Sequence, residues 1–139
     1  MLIMPNVPKR YVPKTLNKRD KIKARRELNL SRKLYKKGKY YTRKKVKSFK
    51  SKPSAHIVNA RKIYGLQNIK PSPELATKTG CSIAALEKIV NKGEGAYFSS
   101  GSRPNQTAQS WGYARLASSI TGGKASAIDF SILENGCKR

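Results

Sequence analysis

Acidic residues are scarce in this chain, and the scarcity is greatest in its first half. Seven aspartates and glutamates stand against 31 lysines and arginines, for a net charge of +24. Residues 1–70 hold 23 of those cations and only two acids, Asp20 and Glu27, so they carry +21, whereas residues 71–139 carry +3. Because self-repulsion of like charges opposes a compact state, we expect the first half to bind a polyanionic or acidic partner.

Residue types that support catalysis or metal binding are also few. His56 is the single histidine, and no cluster of Cys, His or acids surrounds it in the sequence, so we expect a surface or structural role rather than a metal site. The five acids after residue 70 are not paired at a spacing suited to acid–base chemistry. Neither glycine-rich phosphate-binding motif, G-x-x-x-x-G-K-[ST] or G-x-G-x-x-G, is present. The sequence therefore predicts neither an enzyme nor a bound cofactor.

Long apolar runs and cysteine pairs are likewise limited. No run approaches the ~20 residues that span a bilayer, and Pro5 and Pro8 interrupt the apolar opening, which is not typical of a signal peptide. We interpret the two cysteines, Cys81 and Cys137, as small buried hydrophobes in a reducing compartment, not as a disulfide framework. These features predict a cytoplasmic, nuclear or intracellular viral setting.

Residues 1–53 are expected to form an extended and helical polybasic arm. Three prolines predict an extended tail over residues 1–14. A helical pattern then begins at Asn17, a suitable N-cap, and Gly38 provides a stop. Ala24, Leu28, Ser31 and Tyr35 lie on one face of this helix, and Leu30 and Leu34 widen that stripe. The other faces are almost entirely lysine and arginine, which favours a partner-bound helix over an ordinary solvated one.

The segment over residues 39–53 follows with seven cations in fifteen residues, interleaved with Tyr40, Tyr41, Val46 and Phe49. Cations that meet phosphate or carboxylate, with aromatic residues between them as anchors, are typical of a chain that tracks a groove. A disordered basic linker or a nuclear localisation patch fits the composition equally well. In either case we expect the free arm to be disordered and to order on its partner.

Residues 54–139 predict a small, mainly α-helical domain. Helices are expected at 54–64 before Gly65, from Ser72-Pro73-Glu74 to Gly80, from Ser82 to about Asn91 with a stop at Gly93, at 108–119 and at 125–133. We expect close backbone approach at Gly112. The expected core is Leu75, Leu86, Ile89, Trp111, Leu116, Ile120, Ile128 and Ile132.

The second and third of these helices resemble a helix-turn-helix hairpin joined at Gly80-Cys81. As a DNA-reading element the pair is weak, because among the residues that would face the bases only Lys88 is a common base reader, and Glu87 would meet phosphate unfavourably. A structural hairpin is the favoured interpretation.

The polar loop at 99–107 leaves two interpretations open for Arg103, Asn105 and Gln106. They can donate to a phosphate or a partner backbone from a rigid loop, or they can satisfy the carbonyls of their own turn. The residues predicted to bind a polyanion or a partner are Arg25, Arg26, Lys36, Lys37, Tyr40, Tyr41, Arg43, Lys44, Lys45, Lys47, Phe49, Lys50, Lys52, Arg103, Asn105 and Gln106.

Several stretches resemble a known family. They are residues 36–49, residues 99–107 with Ser110-Trp111-Gly112, residues 114–118 and residues 121–124. These are similar to small basic proteins of unknown function encoded by large nucleocytoplasmic DNA viruses, such as the chlorella viruses, over roughly residues 10 to 136. The resemblance implies a setting, a virion with many minor capsid proteins between its capsomer shell and an inner membrane. It assigns no chemistry to individual residues.

Three functions follow, in this order. The first is a virion structural, or minor capsid, protein whose cationic arm binds acidic surfaces of capsid proteins or the inner membrane, located beneath the outer shell. The second is a sequence-nonspecific DNA-binding or genome-condensing protein. The third is a ribosomal protein, which composition alone would place first.

Overall fold

The computed structural model describes residues 9–50 and 52–138, and over these residues the protein is mainly α-helical, as predicted. The first eight residues of the predicted tail lie outside this description. A short 3-10 helix at Lys9–Tyr11 precedes seven α-helices in the described residues. They are α1 Lys18–Lys36, α2 Ala55–Tyr64, α3 Pro73–Thr79, α4 Ile83–Ser99, α5 Ala108–Ile120, α6 Lys124–Ile128 and α7 Phe130–Gly136. None of the described helices is long and apolar enough to cross a membrane.

The chain divides into two compact units. Unit 1 comprises the described part of Met1–Lys52 together with Gly95–Ala108, and unit 2 comprises Pro53–Glu94 with the described part of Gln109–Arg139. The change of composition near residue 53 therefore coincides with one unit boundary. The contribution of residues 95–108 to the basic unit has no counterpart in the sequence expectations.

Local helix signals account for most of the helix ends. The Asn17 side chain accepts a hydrogen bond from the Asp20 amide (2.8 Å) and caps α1. Ser72 caps α3 in the same way through the Leu75 amide (3.2 Å). Gly65 and Gly80 end α2 and α3 with left-handed backbone, φ +65° and +76°, as a C-terminal glycine predicts.

Unit 2 is built on an apolar core. Its buried members are Ala60, Ile69, Leu75, Cys81, Leu86, Ile89, Val90, Leu116, Ala117 and Leu133. The prediction is confirmed for Leu75, Leu86, Ile89 and Leu116, while Trp111, Ile120 and Ile132 are only partly buried. Ile128 was wrongly placed, since its side chain is 66% exposed. It is the last residue of α6, so the apolar stripe drawn through residues 125–133 does not continue across it.

The prediction that Gly93 ends a helix is wrong, because α4 continues to Ser99. A Cβ atom on Gly93 would lie 2.7 Å from the Gly112 Cα, and one on Gly112 would lie 2.7 Å from the Val90 carbonyl oxygen. The glycines therefore let α4 and α5 approach closely, and this contact offsets the roughly 1 kcal/mol that a helical glycine costs. The close approach predicted at Gly112 is confirmed.

The last helix is interrupted at Asp129, where one continuous helix was predicted. Its fully buried carboxylate accepts hydrogen bonds from the Arg115 guanidinium (2.7 and 3.1 Å) and the Ser119 hydroxyl (2.6 Å), and Lys92 lies 3.5 Å away. Burial alone would raise the pKa of Asp129, but the bonds from Arg115 and Ser119 outweigh it and hold the pKa below its ordinary value.

The interpretation of the two cysteines as separate thiols is wrong, because Cys81 and Cys137 form a disulfide. Backbone bonds support it from Ser82 N to Gly136 O and from Lys138 N to Gly80 O, both 2.8 Å. The partners are 56 residues apart, so local sequence contains no sign of the pairing. The expectation of a reducing compartment, which depended on free thiols, loses that support.

Candidate polyanion-binding surface

Both acids of the basic half serve inside unit 1, where they hold residues 41–48 against α1. The Glu27 carboxylate accepts hydrogen bonds from the Lys44 amide (2.6 Å) and the Tyr41 hydroxyl (2.8 Å). Asp20 accepts from the amide (2.8 Å) and the hydroxyl of Ser48. Both carboxylates belong to buried residues. The donors are backbone amides and hydroxyls, not the ammonium or guanidinium groups that surround them in sequence.

The protonation of these groups suits their roles. Hydrogen bonds from the side chain and then the backbone of Ser48 lower the pKa of Asp20, which favours the ionised acceptor. Burial raises the pKa of Tyr41, and the bond to Glu27 raises it further, so the phenol remains a donor.

Arg43 lies inside the same unit, although its position in a basic run predicted contact with a partner. Its guanidinium donates to Ser31 Oγ (2.9 Å), the Tyr97 carbonyl (2.8 Å) and Ser102 Oγ (2.7 Å). It also lies 3.7 Å from the centroid of the buried Tyr97 ring, in cation–π geometry. Burial lowers the pKa of Arg43 from its ordinary value, yet neutral acceptors satisfy it.

Asn105 ties the segment to the polar loop. Its backbone is left-handed, φ +64°; its Oδ1 accepts from the Val46 amide (2.7 Å), and its Nδ2 donates to the carbonyls of Val46 (3.1 Å) and Phe49 (3.2 Å). Neither role considered for this residue describes these bonds, because the partners lie 56 and 59 residues away and not in its own turn. Val46 is buried beside Leu16 and Ala24, and Phe49 packs against that small cluster.

The cations of unit 1 far outnumber its acids. The sequence places 21 lysines and arginines in this unit against two acids, a difference of 19. No ion pair joins a cation to a carboxylate among the described residues of unit 1; the two ion pairs of the described chain both involve Asp129 in unit 2. Sixteen of the cations are exposed. The folded unit therefore presents a dense positive surface to solvent.

A groove runs along part of this surface. It has a volume of about 860 Å³ and is lined by Lys18, Arg19, Ile22, Lys23, Arg26, Glu27 and Lys44. The Lys23 ammonium donates to the Lys45 carbonyl (3.0 Å), and Ile22 is 49% exposed. Three of these cations, Lys18, Arg19 and Lys23, were not among the predicted binding residues. Their spacing could have indicated them, because positions 18, 19, 22, 23 and 26 share one helical face.

Three aromatic rings form a second surface feature, here called the aromatic cluster: Tyr35, Tyr40 and Phe98. The centroids of Tyr35 and Phe98 are 6.2 Å apart with nearly parallel planes, and Tyr40 lies 5.1 Å from Phe98. Tyr40 is 74% exposed. Of the aromatic anchors predicted from sequence, Tyr40 faces solvent, while Tyr41 and Phe49 are engaged within the unit.

The sixteen predicted binding residues thus separate into two groups. Exposed to solvent are Arg25, Arg26, Lys36, Lys37, Tyr40, Lys44, Lys45, Lys47, Lys50, Lys52 and Arg103. At least partly buried are Tyr41, Arg43, Phe49, Asn105 and Gln106.

The α3–α4 hairpin presents little that suits base reading. Ser82, Glu87 and Lys88 are exposed, but the Ser82 hydroxyl accepts from the Ala85 amide (3.1 Å) as a helix cap. In the described residues no group of three or more His, Cys, Asp or Glu is arranged to hold a metal ion.

A family model described as a family of unknown function, DUF5824, matches residues 8–134. No curated protein and no solved structure matches the chain.

Proposed function

We propose that this chain, which belongs to the DUF5824 family of unknown function, is a structural component of a nucleic-acid-containing particle. Its unit 1 binds a polyanion, best a nucleic acid, without reading sequence. The observation that carries this proposal is the internal use of Asp20 and Glu27. Both acids accept bonds from the 41–48 segment, and neither forms an ion pair among the described residues, so the sixteen exposed cations of unit 1 far exceed its acids.

The arrangement of the cations supports backbone contact over base recognition. Lysines and arginines that contact phosphates position a protein on nucleic acid but carry no sequence information. The exposed cations of α1 and of residues 44–52 fit that role, and no asparagine or glutamine accompanies them on the groove. Sequence reading by the α3–α4 hairpin remains the weaker proposal, with Lys88 its single suitable donor.

The viral resemblance supplies the setting in this proposal, a virion of a large double-stranded DNA virus. A second candidate function is attachment to acidic capsid proteins or to the inner membrane as a minor capsid protein. The exposed Ile22 within the cationic groove favours it, since interface energy comes mainly from apolar and aromatic residues. Two of the three expected aromatic anchors are already engaged inside unit 1, which counts against binding in a shaped groove of a partner protein.

Salt-dependent binding tests the proposal. If the protein contacts ~6–10 phosphates, its affinity for duplex DNA falls about 10³–10⁵-fold between 50 and 200 mM salt. Replacing Lys18, Arg26 and Lys44 by Gln should reduce the slope of log affinity against log salt by about 2–3, since each phosphate contact contributes roughly 0.9.

The matched control replaces Lys62, Lys78 and Lys124 of unit 2, which are also exposed, and removes the same charge. Its slope should be unchanged. Equal losses in the two triple variants would mean that net charge alone drives binding. No measurable DNA binding, together with tight binding to an acidic capsid protein, would replace the proposal with the minor capsid function.

A further inference from the structure

We propose that the aromatic cluster of unit 1 is a stacking site for the bases of single-stranded nucleic acid. The inference rests on the proposed function and names the form of nucleic acid that this part of the surface prefers. It is carried by the exposure and geometry of Tyr35, Tyr40 and Phe98 and by the charge around them.

A turn after α1 assembles the cluster. Gly38 adopts φ +79°, its amide donates to the Tyr35 carbonyl (2.9 Å), and the Lys39 amide donates to the Leu34 carbonyl (2.9 Å). This reversal brings Tyr40 to within 6.1 Å of Tyr35, centroid to centroid. Phe98, in the last turn of α4, lies against both rings.

Burial of apolar area does not explain the position of Tyr40. Its side chain remains 74% exposed, so it gains little from removal of apolar area from water. Tyr41, the next residue, shows the alternative, since it is half-buried and bonded to Glu27. Most of the Tyr40 side chain is instead open to solvent, and the rings of Tyr35 and Phe98 lie beside it at a tilt of 48°.

The charge around the cluster selects the ligand. Lys36, Lys37 and Lys39 lie between Tyr35 and Tyr40 in the chain and are exposed. Both acids of unit 1 are buried and accept hydrogen bonds from Tyr41 and Ser48. These lysines would repel a cationic ligand such as a methylated ammonium group, which aromatic cages otherwise bind. A ligand with a π face and an adjacent negative charge fits both features, and unpaired nucleotides have both.

Single strands are favoured over duplexes because duplex bases are already stacked on one another. Stacking of an unpaired base on an aromatic side chain accounts for a large part of sequence-tolerant single-strand binding. The groove beside α1 can bind the phosphates of either form, whereas the aromatic cluster adds affinity for the unpaired form alone.

The test compares three probes by titration with the full chain: a thymidine oligonucleotide of about 20 nucleotides, a duplex of the same length, and inorganic polyphosphate, which has no bases. Tyr40→Ala should weaken binding to the single strand about 5- to 100-fold, and leave binding to the duplex and to polyphosphate unchanged. Tyr40→Phe, which keeps the ring, should stay within about twofold of the native protein. Lys37→Gln should weaken binding to all three probes.

Photo-crosslinking gives a readout that needs no variant: an oligonucleotide carrying 5-iodouracil should crosslink to the native protein at Tyr40 or a neighbouring ring. If polyphosphate and duplex bind but Tyr40→Ala leaves the single strand unaffected and no ring is crosslinked, the stacking site is refuted while the proposed function stands. A Tyr40→Ala loss that is equal for all three probes would also refute it. If none of the three probes binds the native protein, the proposed function itself fails.

Discussion

Unit 1 and unit 2 use different interactions to fold. Unit 2 buries a continuous cluster of ten residues, among them four leucines and two isoleucines. In unit 1 the corresponding cluster contains three buried residues, Leu16, Ala24 and Val46. Tyr11, Leu28 and Tyr97 are buried as well, and side-chain hydrogen bonds to backbone add to the packing. The comparison teaches that a segment with seven cations in fifteen residues can be held in place by a few buried acceptors, provided its charged side chains remain in water.

The two units also differ in their balance of cations and acids. Unit 1 has 21 cations for two acids and unit 2 has ten for five. In unit 2 the buried acid, Asp129, pairs with Arg115 and lies near Lys92. In unit 1 the buried acids accept hydrogen bonds from amides and hydroxyls, and no ion pair joins them to a cation among the described residues. This difference is the physical basis for the proposal that unit 1 binds a polyanion.

The largest expected effect tests the apolar core of unit 2. Leu86→Ala removes a side chain with no exposed area, and we expect unfolding free energy to fall by about 2–5 kcal/mol, from lost burial and the cavity left behind. Urea denaturation measures it. Ile128→Ala, at a residue 66% exposed, is the control and should change stability by less than about 0.5 kcal/mol. Similar losses in both variants would contradict this core.

A smaller effect tests the polar packing of unit 1. Arg43→Met keeps much of the side-chain length but leaves Ser31, Ser102 and the Tyr97 carbonyl without their donor. We expect a loss of about 2–3 kcal/mol, since a hydrogen bond to a charged group contributes roughly 1.5–3 kcal/mol and neighbouring bonds are not additive. Lys45→Met, at an exposed neighbour, serves as control. If Arg43→Met left the free energy of unfolding unchanged, the guanidinium would face solvent, as its place in the basic run suggested.

Features that depend on residues close together in the chain could be predicted from the sequence, whereas features that depend on distant residues could not. Contacts within a few residues form the helix caps at Asn17 and Ser72 and the helix stops at Gly65 and Gly80. These helix ends can therefore be predicted from the local sequence. Gly93 looked like a stop because its partner, Gly112, is distant in the chain. The same holds for the Cys81–Cys137 bond and for Glu27, whose donors lie 14 and 17 residues away. Composition located the excess of cations in the first half of the chain, but it did not indicate that Tyr41, Arg43 and Asn105 form hydrogen bonds within the unit.

Amide hydrogen exchange on the free, full-length protein tests the central claim most directly. Composition predicts a disordered arm, whereas the structure gives the amides of Arg43, Lys44, Val46 and Ser48 acceptors in Tyr97, Glu27, Asn105 and Asp20. The amides of Lys45 and Lys47 have no acceptor among the described residues. We therefore expect protection at 43, 44, 46 and 48 and fast exchange at 45 and 47, without any partner present. Uniformly fast exchange from 43 to 48, becoming slow only when nucleic acid is added, would contradict the account.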